Sequence, residues 1–346
     1  MPVALAAVVV TVAGITLFSS VIGPTFLALI LTVTVQPIQD WARKRGWPGW
    51  LGMLAAFSAV MLILVALVGA LALSVAQLAS QLPVYSDQLD HARGWLAYSG
   101  VSIDQINRAL QGIDVGRAVG LLETLLGGVV DLFSNLAFVV VLLLFMAVDG
   151  MSIRERLAVV ASHRPAAVQA LANFAHGTRK YLVVSTVFGA IVAVIDGGAL
   201  WLMGVPLPVL WALLAFVTNY IPNIGFVIGV IPPALMALLD SGPMLMVWVI
   251  VVYSVINFVI QSIIQPKIVG DAVGLSVTIT FLSLVFWTWV LGGLGAILAI
   301  PLTLFVKALL LDIDPSTRWV DVLIGGPLPE KDPSQSDTDT DEKDTP

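Results

Sequence analysis

The length of the apolar runs constrains this chain more than any other feature of its sequence. Apolar runs predict membrane segments at residues 3–22, 24–38, 51–77, 129–148, 181–203, 207–239, 244–263 and 273–310. A helix that spans a bilayer needs about 20 apolar residues. The runs 207–239 and 273–310 do not fit that length, because each is too long for one helix and too short for two full spans. We therefore predict an all-α integral membrane protein of about eight membrane segments, two of which are unusual.

Both unusual runs carry helix-breaking residues near their middle. Residues 219–233 read NYIPNIGFVIGVIPP, and residues 291–301 read LGGLGAILAIP. Irregular backbone at membrane depth is tolerated only where it is buried in protein or faces a water-filled cavity. Two limbs of about 15 residues would each reach roughly 22 Å, short of the roughly 30 Å hydrocarbon core. We predict two broken, re-entrant helical hairpins, with a tight turn between paired full spans as the alternative.

Composition agrees with a membrane location and argues against catalysis. The chain is 59% hydrophobic and 11% charged, with a mean hydropathy of +1.00, whereas soluble domains are about a quarter charged. It has no cysteine, no GxxxxGK[ST] loop and no HExxH motif, and its three histidines lie in polar segments. We therefore predict no catalytic residue, no metal site, no cofactor and no nucleic-acid partner. The expected partner is the lipid bilayer.

Lysines and arginines in the loops predict the orientation of the chain. Three basic residues at 43–45 follow the second segment, and five more lie in the loop of 149–180, so both loops are expected in the cytoplasm. Residues 79–128 carry five acids against three arginines and are expected outside. Alternation from these anchors predicts that both termini are cytoplasmic.

The predicted organisation has five parts. Residues 1–78 form membrane segments of a scaffold, and residues 79–128 form an extracytoplasmic amphipathic helical region. Residues 129–180 hold the fourth membrane helix and a cytoplasmic amphipathic segment, and residues 181–310 hold the transport core. Residues 311–346 form a cytoplasmic acidic tail, whose last 20 residues carry seven acids against two lysines. Such a composition is typical of disorder.

An internal repeat supports the hairpin interpretation. At an offset of 68 residues, Gly225 aligns with Gly293 and Pro233 with Pro301, and four apolar residues after position 206 also align. Each unusual run also follows a single helix. The orientation predicted from charge makes the two runs enter from opposite sides, which is the pattern of an inverted-topology repeat. Chance alignment of two Leu/Val-rich segments is the alternative.

Polar side chains inside membrane segments are costly and therefore mark candidate sites. Asp196 is the only acid well inside a predicted span, and Ser185, Gly189 and Val192 share its helical face. The sequence allows a proton or cation site that faces the protein interior, or an acid at the water interface near the end of the helix. Both interpretations stay open at this point.

The second candidate is a polar stripe on the helix predicted at 244–263 and its extension. Ser254, Asn257, Gln261 and Gln265 recur at intervals of three, four and four residues, so they lie on one face. The stripe either lines a solute path or supplies hydrogen bonds between helices, which contribute about 0.6 kcal/mol each on average.

The candidate residues fall into two groups. The predicted solute or ion pathway comprises Asn219, Asn223, Asn257, Gln261, Gln265 and Asp196. The residues predicted to shape the helix breaks and hairpins are Pro222, Gly225, Gly229, Pro232, Pro266, Gly270, Gly293, Gly295 and Pro301.

Several of these motifs together resemble the autoinducer-2 exporter (AI-2E) family of bacterial membrane transporters. The similarity rests on FMAVDG at 145–150, YIPNIGFVIGVIPP, NFVIQSIIQPKIVGDAVGL at 257–275 and GGLGAILAIP. The chain departs from the family pattern at TVTVQP, which lacks an expected tyrosine, and at Phe226, where a proline is common. The resemblance implies a multi-pass protein of the bacterial inner membrane. It also implies a homo-oligomer in which a hairpin-bearing unit moves against a scaffold.

The leading hypothesis is a secondary transporter that exports a small polar organic solute resembling autoinducer-2, by an alternating-access or elevator-type mechanism. A cation/proton antiporter that uses H⁺ or Na⁺ as coupling ion through Asp196 is the first alternative. A non-transporting membrane scaffold is the alternative of another class, since residues 79–128 and the tail offer surfaces for an envelope assembly.

Overall fold

The computed structural model describes residues 2–98, 136–150, 152–222, 224–269 and 274–313. Two candidate residues, Asn223 and Gly270, lie outside the described residues. Much of the predicted external region, from 99 onwards, and the predicted acidic tail from 314 also lie outside them.

The described chain is a succession of helices. The first six are α1 (Pro2–Leu17), α2 (Ser19–Lys44), α3 (Gly49–Tyr98), α4 (Leu136–Gly150), α5 (Ile153–His163) and α6 (Pro165–Leu202). The rest are α7 (Pro208–Thr218), α8 (Gly225–Ser241), α9 (Pro243–Asn257), α10 (Val277–Leu291) and α11 (Gly293–Lys307). A π-helical turn, Phe258–Ile264, and a short helix, Gln265–Val269, continue α9, and a second π-helical turn, Ala308–Asp312, continues α11.

The number of apolar helices confirms an all-α membrane protein. Five helical stretches among the described residues are long and apolar enough to cross a bilayer, namely α2, the first half of α3, α6, α9 with its extension, and α11 with its π turn. A sixth is obtained if α4 and α5, which meet at 66°, form one broken span.

Helix α6 is longer than the sequence predicted. It begins at Pro165, a residue that fits the first turn of a helix because it needs no backbone donor there. Its buried face then continues through Ala170, Phe174, Thr178 and Tyr181 at intervals of three and four residues. The predicted boundary between residues 180 and 181 therefore falls inside one continuous helix.

Both unusual runs are helix-turn-helix hairpins. Hairpin 1 consists of α7 and α8 joined by residues 219–224, and hairpin 2 consists of α10 and α11 joined at Gly292. Gly292 has φ 66° and ψ −144°, a conformation that is essentially restricted to glycine. Gly225 and Gly293, aligned by the offset of 68, each begin the second limb of their hairpin.

Three prolines predicted to shape helix breaks lie inside helices instead. Pro232 is within α8, Pro301 is within α11, and Pro266 is within Gln265–Val269. A proline removes only one hydrogen bond, and membrane helices tolerate it where neighbouring groups or a local π turn compensate. Pro266 follows directly on a π turn, in which the Gln265 amide donates to the Ile260 carbonyl five residues back. None of the three prolines therefore ends the helix in which it lies, and their role in shaping the breaks stays a prediction.

An arginine side chain on α6 takes the place of a backbone donor that is missing in α2. The proline Pro37 lies inside α2 and cannot donate to the carbonyl of Val33, four residues earlier. The side chain of Arg179 on α6 fills this position, with its Nε and Nη2 atoms 3.3 and 3.2 Å from the Val33 oxygen. Arg179 Nη2 also donates to Gln36 Oε1 at 3.1 Å. A guanidinium thus fixes α6 against α2.

Helix α6 packs against both hairpins. Its N-terminal half, including Phe174 and Tyr181, packs in one apolar core with hairpin 2 and with α2. Its C-terminal end, at Leu200, packs in a second core with hairpin 1 and α9. The polar residues between these two cores, on α6, hairpin 1 and α9, form the candidate site.

Candidate functional site

The carboxylate of Asp196 is buried inside the protein. Its side chain is 0% exposed, and Ser185, Gly189 and Val192 on the same face of α6 are buried with it. The carboxylate therefore faces the protein interior and not the outer surface of α6. An ionisable group at such depth is expensive and is found where it has partners or a function.

Four side chains from three elements form a hydrogen-bonded chain, here called the polar ladder. Asn257 Nδ2 donates to Asp196 Oδ2 at 3.4 Å, and Gln261 Nε2 donates to Asn257 Oδ1 at 2.9 Å. Gln261 Nε2 also donates to Asn219 Oδ1 at 3.1 Å. Asn219 Nδ2 donates to the Ser185 carbonyl at 3.0 Å, which closes the ladder onto α6.

Close helix contacts bring the ladder together. A Cβ atom added to Gly189 would lie 2.9 Å from Asn219 Nδ2, so a larger residue would push this amide away from Ser185. A Cβ added to Gly225 would meet the Thr218 carbonyl, and one added to Gly229 would lie 2.9 Å from Thr218 Oγ1. Glycines on α6 and α8 therefore allow α7 to approach both helices.

The turn of hairpin 1 is fastened to α6 by two tyrosines. Tyr181 Oη donates to the Tyr220 carbonyl at 2.7 Å. Thr186 Oγ1 donates its proton to the Leu182 carbonyl. Tyr220 Oη, 2.6 Å away, must therefore be the donor to Thr186 Oγ1. Together with Asn219, these bonds hold the hairpin turn in place.

A small cavity, here the inner cavity, lies beside the carboxylate. Its volume is about 10 Å³, roughly the space that one water molecule requires. Asp196 and Tyr253 are among the residues that line it. The Oδ1 atom of Asp196 and the Oη atom of Tyr253 are buried and have no hydrogen-bond partner among the described residues. The full lining comprises Asp196, Ala215, Thr218, Asn219, Phe226, Gly229, Tyr253, Asn257 and Gln261.

A larger cavity, here the open cavity, adjoins the inner one. It has a volume of about 540 Å³ and is lined by Phe226, Ser254, Val255, Asn257, Phe258, Gln261 and Ser262. It opens at the protein surface, where Val255 and Phe258 are more than half exposed. Phe226, Asn257 and Gln261 line both cavities, which therefore meet at these three residues, here called the wall.

Comparison with known proteins assigns the chain to a family. The sequence model described as AI-2E family transporter matches residues 5–314. The chain belongs to the AI-2E transporter family. The resemblance based on the hairpin motifs is thereby confirmed.

Two AI-2E relatives come from Escherichia coli strain K12. YhhT, which is named as a candidate transport protein, is 30% identical over 307 residues, 88% of this chain and 88% of its own. The AI-2 transport protein TqsA is 29% identical over 305 residues, 86% of this chain and 88% of its own. A third relative, from Haemophilus influenzae and also named as a candidate transport protein, is 29% identical over 330 residues, 93% of this chain and 94% of its own. The family and these relatives are transport proteins rather than enzymes.

The structure brings together four of the six predicted pathway residues of this AI-2E protein. Asp196, Asn219, Asn257 and Gln261 form the ladder. Gln265 is half-buried one turn beyond Gln261 and belongs to the lining of neither cavity. The remaining predicted residue, Asn223, is outside the described chain.

The tyrosines of the site were not predicted from the sequence. Tyr253 precedes Asn257 by four residues and therefore extends the polar stripe by one turn, which was a usable signal. Tyr181 and Tyr220 gave no such signal, because their contact joins residues 39 positions apart. The described residues contain no group of three or more His, Asp or Glu placed to hold a metal ion.

Proposed function

We propose that this AI-2E family member is a secondary transporter that exports a small polar organic solute through the open cavity. The observation that most directly supports this proposal is that Ser254, Asn257 and Gln261, with hydroxyl and amide groups, line a cavity of about 540 Å³. Sites for small molecules occupy roughly 300–1,000 Å³ and combine apolar walls with a few polar groups. Here Phe226, Val255 and Phe258 supply the apolar walls.

The class of solute follows from these groups and from one relative. The lining groups are neutral donors and acceptors, which suit hydroxyl and carbonyl groups better than a strongly charged molecule. TqsA is named an AI-2 transport protein. We infer a solute of the autoinducer-2 kind for this chain, moved outward.

The hairpins supply the moving part in this proposal. Helix α7 has 11 residues and α8 has 17, so at 1.5 Å per residue they reach roughly 16 and 26 Å, short of a core of roughly 30 Å. Such lengths favour a re-entrant hairpin 1, whose turn lies at membrane depth beside the ladder. For hairpin 2 the lengths favour it less, because α11 with its π turn has 20 residues.

A membrane context completes the proposal. We infer that the chain forms a homo-oligomer in the bacterial inner membrane, with both termini in the cytoplasm and with residues 1–78 as scaffold. The two helix-plus-hairpin units of 181–310 then shift against that scaffold in an alternating-access or elevator-type cycle.

Flux into and out of proteoliposomes tests the transport role. The panel includes autoinducer-2 and small polyols, with pH and sodium gradients of either direction. Gln261→Ala removes two donated bonds of the ladder and is expected to lower flux about tenfold, the effect of roughly 1.4 kcal/mol on a rate. Gln265→Ala is the matched control, since it removes the same side chain outside both cavities, and its flux is expected to match the wild type.

Two results would contradict the proposal. The absence of flux for every solute under every gradient would exclude both the solute exporter and the cation antiporter, and would favour a scaffold whose function depends on residues 79–128. Equal flux in Gln261→Ala and wild type would remove the ladder from the solute pathway.

A cation/proton antiporter is the second candidate, and the burial of Asp196 favours it. This carboxylate has one oxygen without a protein partner among the described residues and borders a cavity of about one water molecule. Asp196→Asn keeps the size and retains an acceptor for Asn257, but removes the charge. Coupled exchange is expected to vanish while the variant elutes as a folded protein. Undiminished exchange would exclude Asp196 from coupling.

A further inference from the structure

The wall between the two cavities consists of three residues with very different restraints. Asn257 donates to both the Tyr253 carbonyl and Asp196. Gln261 donates to Asn219 and Asn257. Phe226 has an apolar side chain, so no hydrogen bond holds its ring in position. Of the three wall residues, Phe226 can therefore move at the lowest cost, because moving either amide breaks at least two hydrogen bonds in a buried site.

The backbone that carries Phe226 is nevertheless fixed. The preceding residue, Gly225, begins α8 and approaches the Thr218 carbonyl so closely that a Cβ atom would clash with it. Gly229, one turn later, approaches Thr218 Oγ1. Because α8 is held against α7 on both sides of Phe226, motion at this position is confined to rotation of the side chain.

We propose, resting on the transport role argued above, that Phe226 is the residue that limits by size what passes from the open cavity to Asp196. In its observed position the ring borders both the inner cavity, of about 10 Å³, and the open cavity, of about 540 Å³. Rotation of the ring joins the two spaces. With the ring in place, a solute in the open cavity contacts Asn257 and Gln261 but does not reach the carboxylate.

The apolar character of this barrier matters as much as its size. A hydrophobic constriction resists the passage of hydrated species because water leaves it. The ladder amides on the same wall stay available to the solute, so Phe226 separates solute contact from access to Asp196. Substitution at Phe226 is expected to change access to Asp196 without removing a polar group that contacts the solute.

Cysteine labelling tests the barrier without any need for transport. The chain has no cysteine of its own, so Asp196→Cys gives a single thiol at the inner cavity. The probe is methyl methanethiosulfonate, which is uncharged and larger than water. In full-length purified protein, adding Phe226→Ala is expected to raise the labelling rate about tenfold or more, since the rate follows the open fraction.

Graded and matched variants make the result specific. With Asp196→Cys, Phe226→Leu is expected to label at an intermediate rate and Phe226→Trp more slowly than with phenylalanine. Ser262→Cys, which lines only the open cavity and is exposed, is expected to label rapidly with every residue at 226.

Two outcomes would overturn the barrier. One is a rate at position 196 that does not depend on the size of residue 226. The other is a parallel change at position 262, which would indicate general loosening. Because labelling requires neither a solute nor a gradient, a failure of the proteoliposome assay would overturn the transport proposal and leave the labelling result intact.

Discussion

At the scale of single residues, Asp196 is held by an amide rather than by a cation. Among the described residues, its side chain accepts a hydrogen bond from Asn257 at the long distance of 3.4 Å. Asn257 and Gln261 are themselves restrained by the Tyr253 carbonyl and by Asn219. A carboxylate with one weak bond can change partners at low cost, whereas the amides around it keep their geometry. A weakly bonded carboxylate among fixed amides is suited to bind and release a proton or a cation.

Gly189 offers a direct test of the contact between α6 and hairpin 1. Gly189→Ala places a Cβ atom against the Asn219 amide, which must then move by several tenths of an ångström and lengthen its bond to Ser185. We expect solute flux to fall several-fold in proteoliposomes. Gly198→Ala is the matched control on the same helix, because a Cβ atom there meets nothing within 4 Å. Equal flux in both variants would contradict the role of this contact.

Two neighbouring glycines of hairpin 2 should differ in their tolerance of alanine. A Cβ atom at Gly295 would clash with the Trp287 carbonyl, whereas one at Gly293 meets nothing within 4 Å. Gly295→Ala is therefore expected to cost about 1–3 kcal/mol of unfolding free energy, as overpacking does. Thermal unfolding in detergent would show a Tm lowered by several degrees, with Gly293→Ala close to the wild type. A normal Tm for Gly295→Ala would show that the hairpin relaxes.

The sequence identified the polar residues of the site better than its helix breaks. Asp196, Asn257 and Gln261 stand out because a polar side chain in an apolar helix is conspicuous at any position. Pro232 and Pro301 lie inside helices, because a proline in a membrane helix does not have to end it. Which outcome occurs depends on neighbours that the local sequence does not specify.

At the scale of elements, the link between α2 and α6 depends on a proline and an arginine together. Arg179→Met removes the donors to the Val33 carbonyl and leaves a half-buried acceptor unpaired, so we expect a lower Tm. Pro37→Ala restores the backbone donor that α2 lacks. In that background Arg179→Met should cost less, with a coupling of about 0.5–3 kcal/mol in a double-mutant cycle.

The measurement is the thermal stability of the four proteins of this cycle in one detergent. Arg179→Lys serves as the control for charge, since a lysine keeps the charge but lacks the planar fork that lets two nitrogens reach one carbonyl. Strictly additive effects of Pro37→Ala and Arg179→Met would show that the arginine does not replace the missing backbone donor.

The two hairpins are alike in register and differ in their turns. Pro233 and Pro301 each stand eight residues after the first residue of the second limb. Hairpin 1 nevertheless needs six residues to turn, and hairpin 2 turns at a single glycine. The offset of 68 was visible in the sequence because apolar and proline positions align. The tyrosine contacts of hairpin 1 were not visible, because they depend on how α6 packs against the turn.

At the scale of the whole molecule, the depth of the hairpin turns is the main prediction still to be tested. A re-entrant hairpin 1 places its turn inside the membrane, whereas paired full spans place it in the cytoplasm. Pro222→Cys puts a single thiol at this turn. With an impermeant maleimide added to oriented vesicles, we expect slow labelling from both sides. Ser241→Cys, exposed at the end of α8, should label rapidly from one side, and rapid cytoplasmic labelling at position 222 would favour full spans.

Helix α3 is much longer than a membrane span, which matters for imaging the protein and for binding reagents to it. Its 50 residues correspond to roughly 75 Å of helix at 1.5 Å per residue, more than twice the hydrocarbon thickness. Only Gly49–Ser74 has the composition of a span, so 24 residues, about 36 Å, continue past it. Such a rod would stand clear of a detergent micelle. It would show which side of the membrane is which in particle images, and it offers a target to proteases and antibody fragments.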